Sequence, residues 1–128
     1  MIRYWTKFKG RPNHSSRDKM HVTINQKSSI MLNRMAYEAI GRPMAVELLF
    51  DLMAGRRGIK PIRPDAPNAF PVKTVLRGTY RRINAAPFCL HFDLKVDKTL
   101  MFLAPFVEPD GVLELDLAKT MPVTRGSR

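Results

Sequence analysis

The residues of this sequence that could do chemistry are mostly cations placed at turns and at the starts of helices. The chain of 128 residues carries 22 Lys and Arg against 11 Asp and Glu, a formal net charge of +11. Such an excess repels itself, and a polyanion is the commonest partner that relieves the repulsion. We therefore expect nucleic acid as the partner. An anionic membrane surface or an acidic protein is the alternative that the charge alone leaves open.

The cations expected to bind nucleic acid lie in a basic, flexible arm over residues 1–19 and near the turns of two later segments. They are Lys7, Lys9, Arg11, Arg17 and Lys19 in the arm, then Lys27, Arg34, Arg56 and Arg57, and finally Lys73, Arg77, Arg81 and Arg82. Most should contact phosphate, which fixes the register without reading the base sequence. Arg34, Arg77 and Arg82 are favoured for base edges, because Arg can donate two hydrogen bonds to guanine. For any single cation, a solvated charged surface is the alternative.

The spacing of the histidine and cysteine residues does not favour catalysis or metal binding. His14 and His21 are seven positions apart without a neighbouring cysteine, and Cys89 with His91 supplies only two ligands. In a helix, residues two positions apart point in different directions, so His91 is poorly placed as a base for Cys89. No glycine-rich phosphate-binding loop is present. We expect no enzymatic activity, no metal site and no cofactor.

The elements that must position the cations begin with a compact unit over residues 20–62. Residues 21–24 and 29–32 are rich in strand-forming residues and flank a basic turn. Asn33 then has the place of a helix N-cap, and Gly41 the place of a C-terminal stop. An apolar hairpin follows. Several methionines, namely Met31, Met35, Met44 and Met101, fall in apolar patterns and are expected to fill the core.

A second succession of similar elements follows a linker. Residues 63–71 contain three prolines in nine positions. Residues 72–117 then predict strand, turn, strand and a short helix capped by Asn84. This unit ends in "TLMFLAPFV" and "GVLELDL", two runs that flank the turn "EPDG" and predict a hairpin. Residues 118–128 are expected to form a tail.

The two segments are predicted to be a divergent repeat. A shift of 51 positions aligns Thr23 with Thr74 and Asn33 with Asn84, the two identities among 21 positions. Two identities are close to chance. The matching order of strand, turn, strand, cap, helix and hairpin is the stronger indication.

The stretch "VTINQKSSIMLNRMAYEAIGRPMAVELLFDLMAGRRGIKPI", residues 22–62, resembles the swapped-hairpin domain of the SpoVT/AbrB-like transcription factors. That family has a strand, a basic turn, a short strand, a helix closed by glycine, and a hairpin. Here the turn "NQKSS" lacks the family's glycine, and Asn33 replaces its helix-opening proline. With the second segment, the chain looks like the MraZ-type arrangement of two units in one polypeptide.

The resemblance implies an α+β, mostly β fold: a swapped-hairpin barrel with short helices and a tandem repeat. It implies that one unit exposes an apolar hairpin and must interlock with a second, from the same or another chain. The implied function is a DNA-binding transcriptional regulator that acts as a homodimer or higher homo-oligomer.

Two other functions stay open on the residues alone. One is a protein-interaction module, such as an antitoxin, a phage-encoded inhibitor or an adaptor, whose hairpin edges engage a partner protein. The other is an RNA-binding component of a ribonucleoprotein, for which the aromatic and basic arm is suited. The single cysteine excludes an internal disulfide, and no apolar run is long enough to span a bilayer. We expect a cytoplasmic, nucleoid-associated protein of a prokaryote or phage, without a membrane partner.

Overall fold

A computed structural model describes residues 19–123, which form a mostly β structure of the α+β class, as expected from the sequence. The arm cations Lys7, Lys9, Arg11 and Arg17 and residues 124–128 lie outside the described residues. The elements are β1 (Val22–Ile24), β2 (Ser29–Asn33), α1 (Arg34–Ala39), β3 (Ala45–Asp51), β4 (Arg56–Ile62), β5 (Phe70–Pro71), β6 (Lys73–Val75), β7 (Tyr80–Asn84), α2 (Ala86–His91), β8 (Leu100–Phe102), β9 (Phe106–Val107), β10 (Leu113–Asp116) and β11 (Thr120–Pro122). Between residues 19 and 123, neither helix has the length or the apolar character needed to cross a bilayer.

The strands form two antiparallel sheets. One has six strands in the order β11-β8-β1-β2-β7-β6, and the other has five in the order β5-β3-β4-β10-β9. Over residues 19–123 no ladder joins the two sheets, so the expected barrel is not closed. At one corner β5 and β6 follow each other with only Val72 between them, yet they belong to different sheets. Pro71 ends β5 there and has no N–H to continue a ladder.

Alternation along the strands directs one face of each sheet to a common core. The fully buried aliphatic side chains are Val22, Ile24, Ile30, Leu32 and Ile83 in the six-stranded sheet, and Val46, Ile59, Leu113 and Leu115 in the five-stranded sheet. Ala36 of α1 and Phe88 of α2 join the same cluster. Each large side chain contributes roughly 1.5–3 kcal/mol by leaving water. The opposite face of each sheet points away from this core.

The centre of the six-stranded sheet joins the two segments that the sequence aligns. β2 and β7 pair with Met31 opposite Arg82, a residue 51 positions later, which is the shift of the sequence alignment. Ile30 lies opposite Ile83, and both are buried. The order strand, strand, short helix thus occurs twice, with the second strands of each succession side by side.

The two helix starts differ. Asn33 caps α1, since its Oδ1 accepts a hydrogen bond from the Ala36 N–H at 2.9 Å. At α2 the N-cap position belongs to Ala85, which makes no side-chain cap bond, so the predicted cap at Asn84 is wrong by one residue. Asn84 Oδ1 still accepts from the Ala86 N–H, at 3.2 Å.

Three segments depart from the organisation expected from the sequence. Residues 99–107 do not form one hairpin strand: β8 pairs with β1 and β11, while only β9 pairs with β10. Pro105 separates them, because it cannot donate to a ladder. The linker ends in β5, which pairs with the start of β3. The expected tail contains β11, in which Met121 lies opposite Met101.

Gly58 of β4 marks a close approach on the outward face of the five-stranded sheet. A Cβ at this position would lie 2.9 Å from Val112 Cγ1 and 3.4 Å from Leu49 Cβ. Gly58→Ala should therefore lower the free energy of unfolding by about 1–3 kcal/mol, the usual cost of overpacking. The steric cost outweighs the roughly 0.4–1 kcal/mol gained from a less flexible unfolded chain. Urea denaturation measures it.

Lys60→Ala is the matched control for Gly58→Ala, because Lys60 is exposed on the same strand. Its free energy of unfolding should change by no more than about 0.5 kcal/mol. Equal stability of Gly58→Ala and the unsubstituted protein would show that Val112 moves aside without cost.

Candidate nucleic-acid interface

The outward face of the six-stranded sheet carries a row of directly opposed residues, one from each strand. From β11 to β6 the row is Met121, Met101, Thr23, Met31, Arg82 and Lys73. It changes from thioether to cationic side chains across the sheet. The expectation that Met31 and Met101 fill the core is therefore wrong, because both alternate with core residues. Met35 and Met44 are exposed as well.

Two cations face each other at the end of this row. Lys73 lies directly opposite Arg82 in the β6–β7 ladder, and both residues are exposed. Directly opposed residues of antiparallel strands have Cβ atoms about 4.5–5.5 Å apart, and like charges there destabilise the sheet. No carboxylate between residues 19 and 123 forms an ion pair with either. The pair therefore presents concentrated positive charge that a bound anion would neutralise.

A groove of about 790 Å³ lies on the same face of the sheet. Six of its lining residues are His21, Thr23, Met31, Arg34, Tyr80 and Met101. Hydroxyl, imidazole and guanidinium groups alternate there with apolar surface, the mixture that suits a bound organic molecule. Arg34 begins α1, is exposed, and brings a guanidinium to the lining of the groove.

Two further predicted cations stand at turns of this sheet. Arg77 is exposed in the 3-10 turn Leu76–Gly78 between β6 and β7, with a φ of 57°. Lys27 is exposed in the turn between β1 and β2. Asn25 Oδ1 shapes that turn by accepting from the N–H groups of Lys27 and Ser29, both at 3.0 Å. Ser29 lies opposite Asn84 and Asn33 opposite Tyr80, so these two turns stand at opposite ends of the sheet.

Arg81 has a structural role in the described residues. Its Nη1 donates to the Gly78 carbonyl oxygen at 3.0 Å, and its guanidinium carbon lies 4.5 Å from the centre of the Tyr37 ring. Tyr37 in turn donates from its hydroxyl to the Pro43 carbonyl oxygen at 2.9 Å. Arg81 therefore joins β7 to α1, and its guanidinium has less freedom to contact nucleic acid than that of Arg82.

The predicted site residues of β4 lie on the other sheet and are not brought to this face. Arg56 is exposed, and its Nη1 lies 3.4 Å from Glu114 Oε2. Arg57 is only 3% exposed, because alternation turns it towards the core. The expectation that Arg57 is a surface cation is therefore wrong. Lys19 is exposed at the start of the described chain, and its carbonyl oxygen accepts from Asn33 Nδ2.

The outward side of the five-stranded sheet has the opposite electrostatic character. Glu108 and Glu114 lie within hydrogen-bond reach, which raises the pKa of Glu108 above its usual value, and the negative charges of Glu114 and Asp110 add to this. Arg56 acts in the opposite direction. A polyanion would avoid this acidic group, so the two sheets are electrostatically distinct.

Comparison with known proteins adds no relative to this description: no family model, curated protein or solved structure matches the chain. The function must therefore be argued from the residues themselves. The sequence analysis predicted Arg34, Lys73 and Arg82 as site residues but did not predict the groove, which Arg34 lines. The period-2 alternation of β1 and β2 was a usable signal for its walls, whereas the pairing of β1 with β8 had no local signal.

Proposed function

We propose that the protein binds DNA through the outward face of its six-stranded sheet, as a transcriptional regulator of the SpoVT/AbrB-like type. The observation that carries the proposal is the exposed, directly opposed and unneutralised pair Lys73 and Arg82. Structural ion-pair networks place carboxylates beside cations. This pair instead bears a repulsion that an external anion would relieve.

The binding mode follows from the arrangement of the cations. A phosphate group between Lys73 and Arg82 accepts hydrogen bonds from both, and Arg77 in the neighbouring turn meets an adjacent phosphate. Arg34, which lines the groove, is the group that reaches base edges. Phosphate contacts release counterions from DNA, so affinity depends steeply on salt.

The interlocking of the two segments supports the swapped-hairpin relationship. β8 of the second segment pairs with β1 of the first, and β10 pairs with β4. Both sheets thus contain strands of both segments, within one chain. A two-unit arrangement of this kind accounts for the apolar hairpins without requiring a second copy to cover them, and a homodimer would then pair two complete cores.

The test is fluorescence anisotropy of a labelled random DNA duplex at several salt concentrations. We expect the unsubstituted protein to lose affinity linearly on a log–log plot. The double variant Lys73→Ala and Arg82→Ala should flatten that slope by about 0.9, since it removes the contact to the one phosphate that the two residues share. RNA in place of DNA, under the same conditions, tests the alternative nucleic acid.

The matched control is the double variant Arg42→Ala and Arg63→Ala. Both residues are exposed, and they pair with Glu38 at 2.8 Å and with Asp65 at 3.3 Å. The control removes the same net charge but should leave the slope nearly unchanged. Equal slopes for both double variants would mean that only overall charge matters and would refute this site. Absence of duplex binding, with a partner protein at fixed stoichiometry, would support the interaction-module alternative.

A further inference from the structure

The core-facing side of β4 holds a cation that the DNA-binding face does not use. Arg57 lies opposite Phe50 of β3 and opposite Leu115 of β10. It is 3% exposed. Alternation of β4 would normally place an aliphatic residue at this position, as it does at Ile59 two residues later.

The surroundings of Arg57 are apolar. Phe50 packs against Phe88 and Phe92, with ring centres 6.3 and 4.9 Å away. Burial lowers the pKa of Arg57, and its interaction with the neighbouring buried Cys89 opposes this in part. Aromatic rings and a thiol are weak hydrogen-bond acceptors compared with a carboxylate.

Two nitrogens of the Arg57 guanidinium lack hydrogen-bond acceptors. Nε and Nη1 are both buried and have no hydrogen-bond partner. The described residues form three ion pairs, and none of them includes Arg57. Buried guanidinium groups elsewhere in proteins are paired, because an unpaired charge in an apolar site is strongly unfavourable.

The β3–β4 turn next to Arg57 is itself apolar and uncovered. Leu52 is 75% exposed and Met53 is 97% exposed. The one carboxylate of the turn is occupied, since Asp51 Oδ1 accepts from the N–H groups of Met53 and Ala54 at 3.0 and 3.1 Å. The turn thus exposes apolar side chains, and its carboxylate already accepts hydrogen bonds within the turn.

We infer that this end of the five-stranded sheet, formed by Arg57 and the turn residues Leu52 and Met53, docks a partner protein that inserts a carboxylate flanked by apolar side chains. The partner is a protein segment because Leu52 and Met53 need apolar cover, which a hydrated phosphodiester does not supply. Its acid satisfies the guanidinium, and rotation of the Arg57 side chain towards the turn lets the two groups meet. This surface is separate from the cationic face of the six-stranded sheet, so it stands or falls independently of DNA binding.

The experiment uses the full chain and two seven-residue peptides, one with a glutamate between two leucines and the other with glutamine in place of the glutamate. Titration is followed by NMR through the Arg57 Nε–H resonance. We expect the glutamate peptide to shift this resonance and to bind at least about tenfold more tightly than the glutamine peptide, the discrimination of one charge-assisted hydrogen bond. Equal binding of the two peptides, or no shift at millimolar concentration, would overturn the inference.

Variants separate recognition from folding. Arg57→Met should leave the protein folded, with an unchanged or higher resistance to urea, and should remove the difference between the peptides. Leu52→Ser with Met53→Ser should weaken the glutamate peptide while leaving the Arg57 resonance of the free protein in place. Arg63→Met is the control, since Arg63 is an exposed cation elsewhere, and must keep the discrimination. A peptide-independent shift of the Arg57 resonance with protein concentration would identify a second copy as the occupant and overturn the proposal.

Discussion

Asn33→Ala should lower the free energy of unfolding by about 2–4 kcal/mol, a large part of the stability of a domain of this size. Asn33 is 8% exposed and lies where β1, β2 and α1 meet. Its Oδ1 accepts from the N–H groups of Ala36 and His21, at 2.9 and 3.0 Å, and its Nδ2 donates to the Lys19 carbonyl oxygen at 2.7 Å. Alanine removes all three bonds and leaves backbone groups in a buried place without these partners.

Asn84 supplies a matched control from the same chain. It stands 51 positions later, opposite Ser29 in the sheet, but it is exposed and makes one side-chain bond, to the Ala86 N–H. Asn84→Ala should therefore cost at most about 1 kcal/mol, because water replaces the lost acceptor. Urea denaturation of both variants gives the comparison. Similar losses for the two variants would contradict the claim that Asn33 alone ties three elements together.

Local rules account for most of the first half of the fold. Strand-rich runs on either side of the turn at Asn25, a cap at Asn33 and a glycine at Gly41 with a φ of +88° each predict an element from a few neighbouring residues, and each element is observed. Such signals depend on backbone preferences and on nearby hydrogen bonds. They can therefore be seen without knowing what the segment packs against.

The second half shows where local rules fail. The run that contains β8 and β9 looks like one apolar strand, yet its two parts join different sheets. β8 pairs with β1, a strand more than 70 residues earlier, and this pairing depends on which strand edge the rest of the fold leaves unpaired. A long-range pairing of this kind cannot be inferred from the neighbouring residues, except that Pro105 permits the break between β8 and β9.

The sequence predicts the kind of chemistry at the candidate site better than it predicts which residues belong to that site. The excess of Lys and Arg predicts anion binding, but two adjacent cations of β4 differ in where their side chains lie. Arg56 points outward to Glu114, and Arg57 points into the core. Only the register of β3 and β4 distinguishes them, because a shift of one residue would exchange their faces. The opposition of Lys73 and Arg82 likewise depends on register.

If Lys73 and Arg82 bind phosphate as proposed, stability and function oppose each other at this pair. In the free protein the two like charges weaken the β6–β7 edge, and a bound phosphate would reverse the effect. A protein under selection only for stability would place an acid at one of these positions. The acid was available to the fold, since the other sheet uses it where Lys60 lies opposite Glu47.

Lys73→Glu should raise stability and lower DNA affinity at once. An opposite-charge pair with Arg82 replaces a like-charge pair, which should raise the free energy of unfolding by about 0.2–1 kcal/mol for exposed groups. The same change removes one phosphate contact and adds a repulsive charge, so affinity for a DNA duplex should fall by at least about tenfold in low salt. Urea denaturation and anisotropy measure the two effects on the same preparation.

Lys60→Glu changes the net charge by the same amount as Lys73→Glu, but on the other sheet. It therefore separates the effect of where the charge lies from the effect of net charge. Lys60 lies opposite Glu47, so this variant creates a like-charge pair and should be slightly destabilised, the reverse of Lys73→Glu. Its affinity for the duplex should fall much less, because the acidic side of the molecule does not face the DNA. An equal loss of affinity in both variants would trace binding to net charge alone. A loss of stability in Lys73→Glu would show that Lys73 and Arg82 do not repel each other in the free protein.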